Sequence, residues 1–229
     1  SSVRGCFGGG YVPGSGQVNI IDYITFSHTG NAADFGNLTV AKSEHAQGSN
    51  ETRGIAFAGY KNQPNPNTED ISYITIATIG DAADFGDASV ENYGPSCVTS
   101  TTRLVAMLGS TPSNVNTMEY LTIGSTGDAT DFGDSSVTRQ YAAANISSTT
   151  RGCFGGGEPQ SNVIDYITIA STGDASDFGD LTVARYKASG VSTVTRGVMA
   201  GGFTPAKNEI DYITIASTGD AADFGDLTT

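Results

Sequence analysis

Thr149 to Arg185 reads TTRGCFGGGEPQSNVIDYITIASTGDASDFGDLTVAR, and this stretch decides the fold because the chain spells it five times. The arginine of its Thr-Arg-Gly element recurs as Arg4, Arg53, Arg103, Arg151 and Arg196. The tyrosine of its Tyr-Ile-Thr run recurs as Tyr23, Tyr73, Tyr120, Tyr166 and Tyr212, and the phenylalanine of Asp-Phe-Gly as Phe35, Phe85, Phe132, Phe178 and Phe224. Successive phenylalanines lie 50, 47, 46 and 46 positions apart. A fixed period of this length, filled only with strand and turn patterning, points to a β-propeller or another β-repeat array.

Within the best-kept copy, Ile164, Tyr166 and Thr168 share one face of a strand while Ile167 and Ile169 share the other. Both faces are apolar and β-branched, so the strand is expected to be sandwiched between neighbours. The small-residue run after each arginine reads as a second sandwiched strand. The sixth position after the arginine is glycine in every copy (Gly10, Gly59, Gly109, Gly157, Gly202), which calls for a positive φ or a backbone pressed against a neighbour. Asp-Phe-Gly reads as a turn, Leu181 to Arg185 as a strand after it, and Tyr186 to Thr193 as a fourth strand. Four short strands per copy is the content of one propeller blade. The expected fold is all-β, a five-bladed propeller in a single domain over 1–229, with repeat units 1–48, 49–97, 98–146, 147–191 and 192–229. In blade order the chain starts just before a second strand and stops just after a fourth, so it holds only four first strands. One blade is then three-stranded, completed by another chain, or part of a longer protein.

The order Leu-x-x-Ala-Arg, small-residue strand, hydrophobic strand ending in Gly-Gly, Tyr-containing strand and then an aromatic resembles the kelch repeat. The resemblance covers the chain five times. It departs at the aromatic, where kelch copies usually carry tryptophan and this chain has Phe178 and its equivalents. The wording TRG-x-F-x-GG, IDYITI and DFGDLT is similar to repeats in predicted virion structural proteins of marine tailed bacteriophages. That similarity implies a non-enzymatic appendage protein in the virion, whose partners are other virion proteins or a host-surface receptor or glycan. It leaves open a homo-oligomer, and the alternative is a lectin-like, extracellular or cell-surface propeller.

The charge excludes other partners. Eleven basic residues face 24 acidic ones, for a net charge of −13, the wrong sign for phosphate neutralisation on nucleic acid or for an anionic bilayer. Thirteen of the acids are aspartates of the Asp-Phe-Gly segments, so the charge is mainly repeat framework. No apolar run exceeds strand size, and no membrane insertion is expected.

Three chemical constellations stand out. Asp174, Asp177 and Asp180 put three carboxylates in seven residues, a weak calcium candidate. The competing reading has them capping a short helical turn and making Asx hydrogen bonds, and Asn31 and Asn37 replace two of the three in the first copy. Each repeated arginine is expected to pair with an aspartate such as Asp177, as a staple around the ring. Cys6 and Cys153 stand where other copies have Ile55, Val105 and Val198, so they read as buried apolar residues, whereas Cys97 sits beside Gly-Pro-Ser and reads as exposed. His28 and His45 are unrepeated and lack ligand-spaced neighbours. No nucleophile or phosphate-loop motif occurs, so no enzyme and no cofactor is expected.

Binding is expected where the copies disagree. The second-to-third and fourth-to-first connections emerge together on one face, and both differ in length and residue type. The second-to-third set carries Tyr11, Tyr60 and Phe203 with the scarce cations Lys61 and Lys207, and prolines that stiffen it.

Overall fold

The computed structural model describes residues 3–203 and 205–228, with the backbone alone at Ala144 and Asn145; the end residues of the first and last repeat units lie outside the described residues. No helix occurs among the described residues, and so none is long and apolar enough to cross a membrane. Five small antiparallel sheets form a five-bladed β-propeller.

Blade 1 contains β1 (Arg4–Gly8), the short hairpin β2 (Tyr11–Val12) and β3 (Gly16–Gln17), then β4 (Ile20–Thr25) and β5 (Ala33–Asn37). Blade 2 contains β6 (Lys42–Ser43), β7 (Ala46–Ser49), β8 (Arg53–Lys61), β9 (Asn67–Thr75) and β10 (Ala83–Asn92). Blade 3 contains β11 (Ser96–Thr99), β12 (Arg103–Met107), β13 (Thr117–Thr122) and β14 (Thr130–Asp134). Blade 4 contains β15 (Ala143–Ser147), β16 (Arg151–Gly155), β17 (Ser161–Thr168) and β18 (Ser176–Arg185). Blade 5 contains β19 (Ser189–Ser192), β20 (Arg196–Ala200), β21 (Glu209–Thr214) and β22 (Ala222–Asp226). The main sheet of blade 1 is three-stranded, β1-β4-β5, while blades 2 to 5 each begin on an additional strand. Those first strands, β7, β11, β15 and β19, neighbour one another in sequence and so surround the axis. Each of the first four repeat units therefore builds three strands of one blade and the first strand of the next.

The Asp-Phe-Gly segment is a strand and not the turn expected from its composition; it lies within β5, β10, β14, β18 and β22. The pairing register slips beside it, for example between Ile164 and Asp165 against Gly179 and Asp177. Gly179 sits at this bulge with φ of 139°, a conformation that side chains rarely adopt. The bulge turns Phe178 inward, and it leaves room at Gly179 for the Gly219 backbone of the next blade.

Four apolar clusters hold the blades, and each spans one blade–blade joint. Phe178 and Leu181 of blade 4, for instance, pack with Met199, Ile213, Ile215 and Ala221 of blade 5. Phe35, Phe85, Phe132 and Phe178 are 1–2% exposed. The fifth ring departs from the expectation: Phe224 is 55% exposed, because no other blade covers it among the described residues.

The joints also carry a matched size swap. Val98 on β11 and Ile146 on β15 press against Gly152 and Gly197 of the following blade. Between blades 2 and 3 the sizes are exchanged, with Gly48 on β7 facing Thr99 and Leu104, whose Cγ2 and Cδ1 would lie 2.6 and 2.8 Å from a Cβ at Gly48. Gly48→Val alone should destabilise by about 1–3 kcal/mol through overpacking. With Leu104→Gly added, a urea-denaturation cycle should give a favourable coupling of about 1–2 kcal/mol. Simple additivity would show that the two positions do not share one space.

Candidate functional site

Among the described residues, the ion pairs with aspartate do not involve the repeated arginines. Arg151 stacks on its own blade's Tyr166, 4.2 Å from the ring centroid, and Tyr166 in turn meets Phe178 edge-on at 6.0 Å. Its Nη1 donates to the carbonyl of Ile215 in the next blade at 2.8 Å. Arg4, Arg53 and Arg103 reach Ile76, Ile123 and Ile169 in the same way. A carbonyl satisfies a guanidinium donor as a carboxylate would, while the aromatic face takes the cation. The joint recurrence of Arg, Tyr and Phe was the sequence signal for this stack.

Ion pairs form elsewhere, at residues the sequence reading passed over. Arg139 Nη2 lies 2.6 Å from Asp165 and Arg185 Nη2 lies 2.8 Å from Asp211, all four side chains buried. Lys42 Nζ lies 2.7 Å from Asp70. Each cation sits where the chain crosses from one blade to the next, and each aspartate lies on the third strand of the following blade. The signal was the cation at one repeat position, Lys42, Arg139 and Arg185, together with the Asp before the tyrosine at Asp165 and Asp211.

The three carboxylates of the calcium candidate are dispersed. Asp174 Oδ1 accepts the Asp134 N–H of the preceding blade at 3.0 Å, Asp177 Oδ1 accepts Gly179 N–H at 3.2 Å, and Asp180 N–H donates to Asp220 at 3.0 Å. Among the described residues no group of three His, Cys, Asp or Glu side chains could hold a metal ion. The Asx hydrogen bond expected of Asp177 is present, but on a strand and not on a helical cap.

Cys97 is buried, against expectation. Its place on the axial strand β11 puts its thiol against the Gln47 carbonyl at 3.2 Å, and burial pushes its pKa up to about 12. Cys153 is buried too, and burial likewise raises it to about 12; Cys6 is half-buried and raised in the same direction. None is a reactive thiolate. Burial together with the nearby Lys42 charge lowers His45 to about 3, leaving a neutral imidazole beside Gln47.

What remains is the face where second-to-third and fourth-to-first connections emerge. The two sets interlock through short bridges, Tyr93 with Ser110, Gln140 with Glu158 and Tyr186 with Phe203. Around the axis, Gly94 N–H donates to Glu44 C=O, Tyr141 N–H to Gly94 C=O and Lys187 N–H to Tyr141 C=O, at 2.9–3.0 Å. These four equivalent residues all have left-handed backbone, with φ of 52°, 67°, 55° and 56° in chain order. Three of them are not glycine, so the main-chain girdle holds a conformation that L-residues disfavour. The side chains of Glu44, Tyr141 and Lys187 meet at the mouth. Tyr141 OH donates to Glu44 at 2.6 Å, and Lys187 Nζ lies 4.2 Å from the Tyr141 ring centroid and 3.7 Å from Glu44. Burial and the Glu44 hydrogen bond raise the Tyr141 pKa far above the usual phenol, so it stays protonated.

No family model matches the chain, and a search of curated proteins finds no relative.

The residues singled out for binding distribute around this mouth. Tyr60 joins the aromatic row, edge-on to Tyr93 at 6.0 Å, and Tyr93 continues to Tyr141 at 6.4 Å. Phe203 is exposed and edge-on to Tyr186 at 5.8 Å. Tyr11 is exposed at the start of β2, whose hairpin leans on Asn62 of blade 2 through Gln17 N–H. Lys61 approaches Glu91 at 3.8 Å, and Lys207 N–H closes its loop on the Gly202 carbonyl. Glu44, Tyr93, Tyr141 and Lys187 were missed because they lie on fourth-to-first crossings, whose convergence on the axis no spacing reveals.

Proposed function

We propose that this chain is a non-enzymatic recognition module that binds a partner on the face bearing the axial mouth. The observation that carries this reading is the row Tyr60, Tyr93 and Tyr141 ending on Glu44 and Lys187, a rigid amphipathic surface on the face where the copies differ most. Rigid aromatic side chains lose little conformational freedom on binding. The blades are of the kelch type in this reading, and the setting is a virion appendage that contacts a host surface or another virion protein. Support for the setting comes from the repeat's wording. A lectin with one sugar pocket per blade fits less well, because Glu44, Gly94, Tyr141 and Lys187 stand at equivalent positions with unlike chemistry.

Binding of the labelled chain to whole bacterial cells tests the reading, with free monosaccharides as competitors. Joint substitution Tyr11→Ala and Phe203→Ala should weaken binding about tenfold, which is about 1.4 kcal/mol. Stability should stay within about 0.5 kcal/mol, as for exposed positions. Unchanged binding, with loss instead on Glu51→Lys and Asp131→Lys at the opposite face, would move the site across the disc. Monosaccharide competition would favour the lectin.

A further inference from the structure

Each of the four sealed joints uses the same set of contacts. The following blade's Gly-Asp-Ala loop donates two N–H groups to the preceding Asp-Phe-Gly strand, as Gly219 and Ala221 do to Phe178 and Asp180. One loop aspartate accepts an N–H from that strand, as Asp220 does from Asp180. One arginine Nη1 crosses to a carbonyl, as Arg151 does to Ile215. One phenylalanine ring is buried. None of these contacts recurs between blade 5 and blade 1 among the described residues. The close approach at Gly36, Gly86, Gly133 and Gly179 is absent at Gly225, where a Cβ would meet nothing within 4 Å. Phe224 is exposed on one side, with Val191 and Leu227, while Phe7 and Phe26 are 59% and 57% exposed on the other.

Yet both halves of a fifth joint are present. Blade 5 offers Arg196, already stacked on Tyr212 at 4.7 Å, together with Phe224 and the Asp226 N–H. Blade 1 offers the Phe26 carbonyl in the place of Ile215, the N–H groups of Gly30 and Ala32, and Asn31, whose amide oxygen can accept as Asp220 does. Asparagine there also spares the contact one of the facing carboxylates found in the Asp87–Asp128 joint, where Asp128 helps to raise the Asp87 pKa.

We infer that the open joint is an intermolecular contact, blade 5 of one copy seating on blade 1 of a second copy of this chain. The four internal joints are worked examples of this contact, so a second copy of this chain is specified at each of these positions. The two faces differ, so the association is head-to-tail and continues from copy to copy until a ring closes. Each copy carries a charge of −13, and added salt should strengthen the contact by screening their repulsion.

Sedimentation over a concentration series tests this, with circular dichroism confirming folding. The unmodified chain should associate beyond a monomer, more so in higher salt. Phe224→Asp and Phe26→Asp change exposed rings, so each should remain folded and be monomeric alone. Mixed, they should form a species of twice the chain mass, because the first retains an intact blade 1 face and the second an intact blade 5 face. A monomeric unmodified chain overturns the inference, as does association that survives both substitutions. Failure of the mixture to pair excludes the head-to-tail arrangement. Loss of stability in either variant without change in mass would show that the chain closes on itself, and this too overturns it.

Discussion

Phe178→Ala should lower the free energy of unfolding by about 3–5 kcal/mol, the cost of deleting a buried aromatic ring and leaving a cavity. The ring is held between Tyr166 of its own blade and Ile213, Ile215 and Ala221 of the next, so little can collapse into the space. Phe224→Ala removes the same ring from the same motif and should change stability in dilute protein by no more than about 0.5 kcal/mol, because the ring touches only its own blade and more than half of it is already in water. Chemical denaturation of the two variants reads the difference directly. Equal losses at both positions would mean that the fifth joint is sealed within the chain. Equal and small losses would mean that the phenylalanines do not hold the blades together.

The buried ion pairs should give the second large effect. Asp165→Ala leaves the Arg139 guanidinium without its carboxylate in a site where burial already depresses the arginine pKa. Arg139 would keep its Nη1 bonds to the Gly156 and Val163 carbonyls, at 2.9 and 2.8 Å, but its charge would be uncompensated. Breaking one side of a buried pair costs about 3–5 kcal/mol, whereas replacing both sides by apolar residues of similar volume is often neutral. Arg139→Met with Asp165→Leu should therefore recover most of the loss. Asp22→Ala, at the same repeat position but exposed in blade 1, should be silent. A denaturation midpoint for Asp165→Ala close to that of the unmodified chain would show that water reaches the pair.

Much of the architecture was legible because a repeat samples one local problem five times. Ile164 to Ile169 fill both faces of a strand, and only a layer on each side satisfies that pattern. The invariant glycine after each small-residue strand is required locally. Gly10, Gly59, Gly157 and Gly202 have positive φ, and at Gly109 a Cβ would overlap the Tyr93 carbonyl. The Asp-Phe-Gly segment misled because Asp and Gly favour turns in isolation, while here the glycine forms a bulge inside a paired strand.

The partners of the charged residues were not legible, for a different reason. Whether Arg151 meets a carboxylate or a carbonyl depends on which blade edge lies 64 residues away, and both acceptors satisfy the same donor. Cys97 is buried by an axial strand of another blade, which its Gly-Pro-Ser neighbourhood does not register. Glu44, Tyr141 and Lys187 meet only because three crossings converge on the axis. By itself, then, the sequence determined the blade: its strand content, its glycine positions, the phenylalanine between neighbours and the shortage of one first strand. The tertiary structure alone decided how the blades are spaced around the axis. That spacing is a rigid-body outcome of side-chain packing in the joints, and it leaves Phe224 and Phe26 exposed although their sequence surroundings match those of sealed rings.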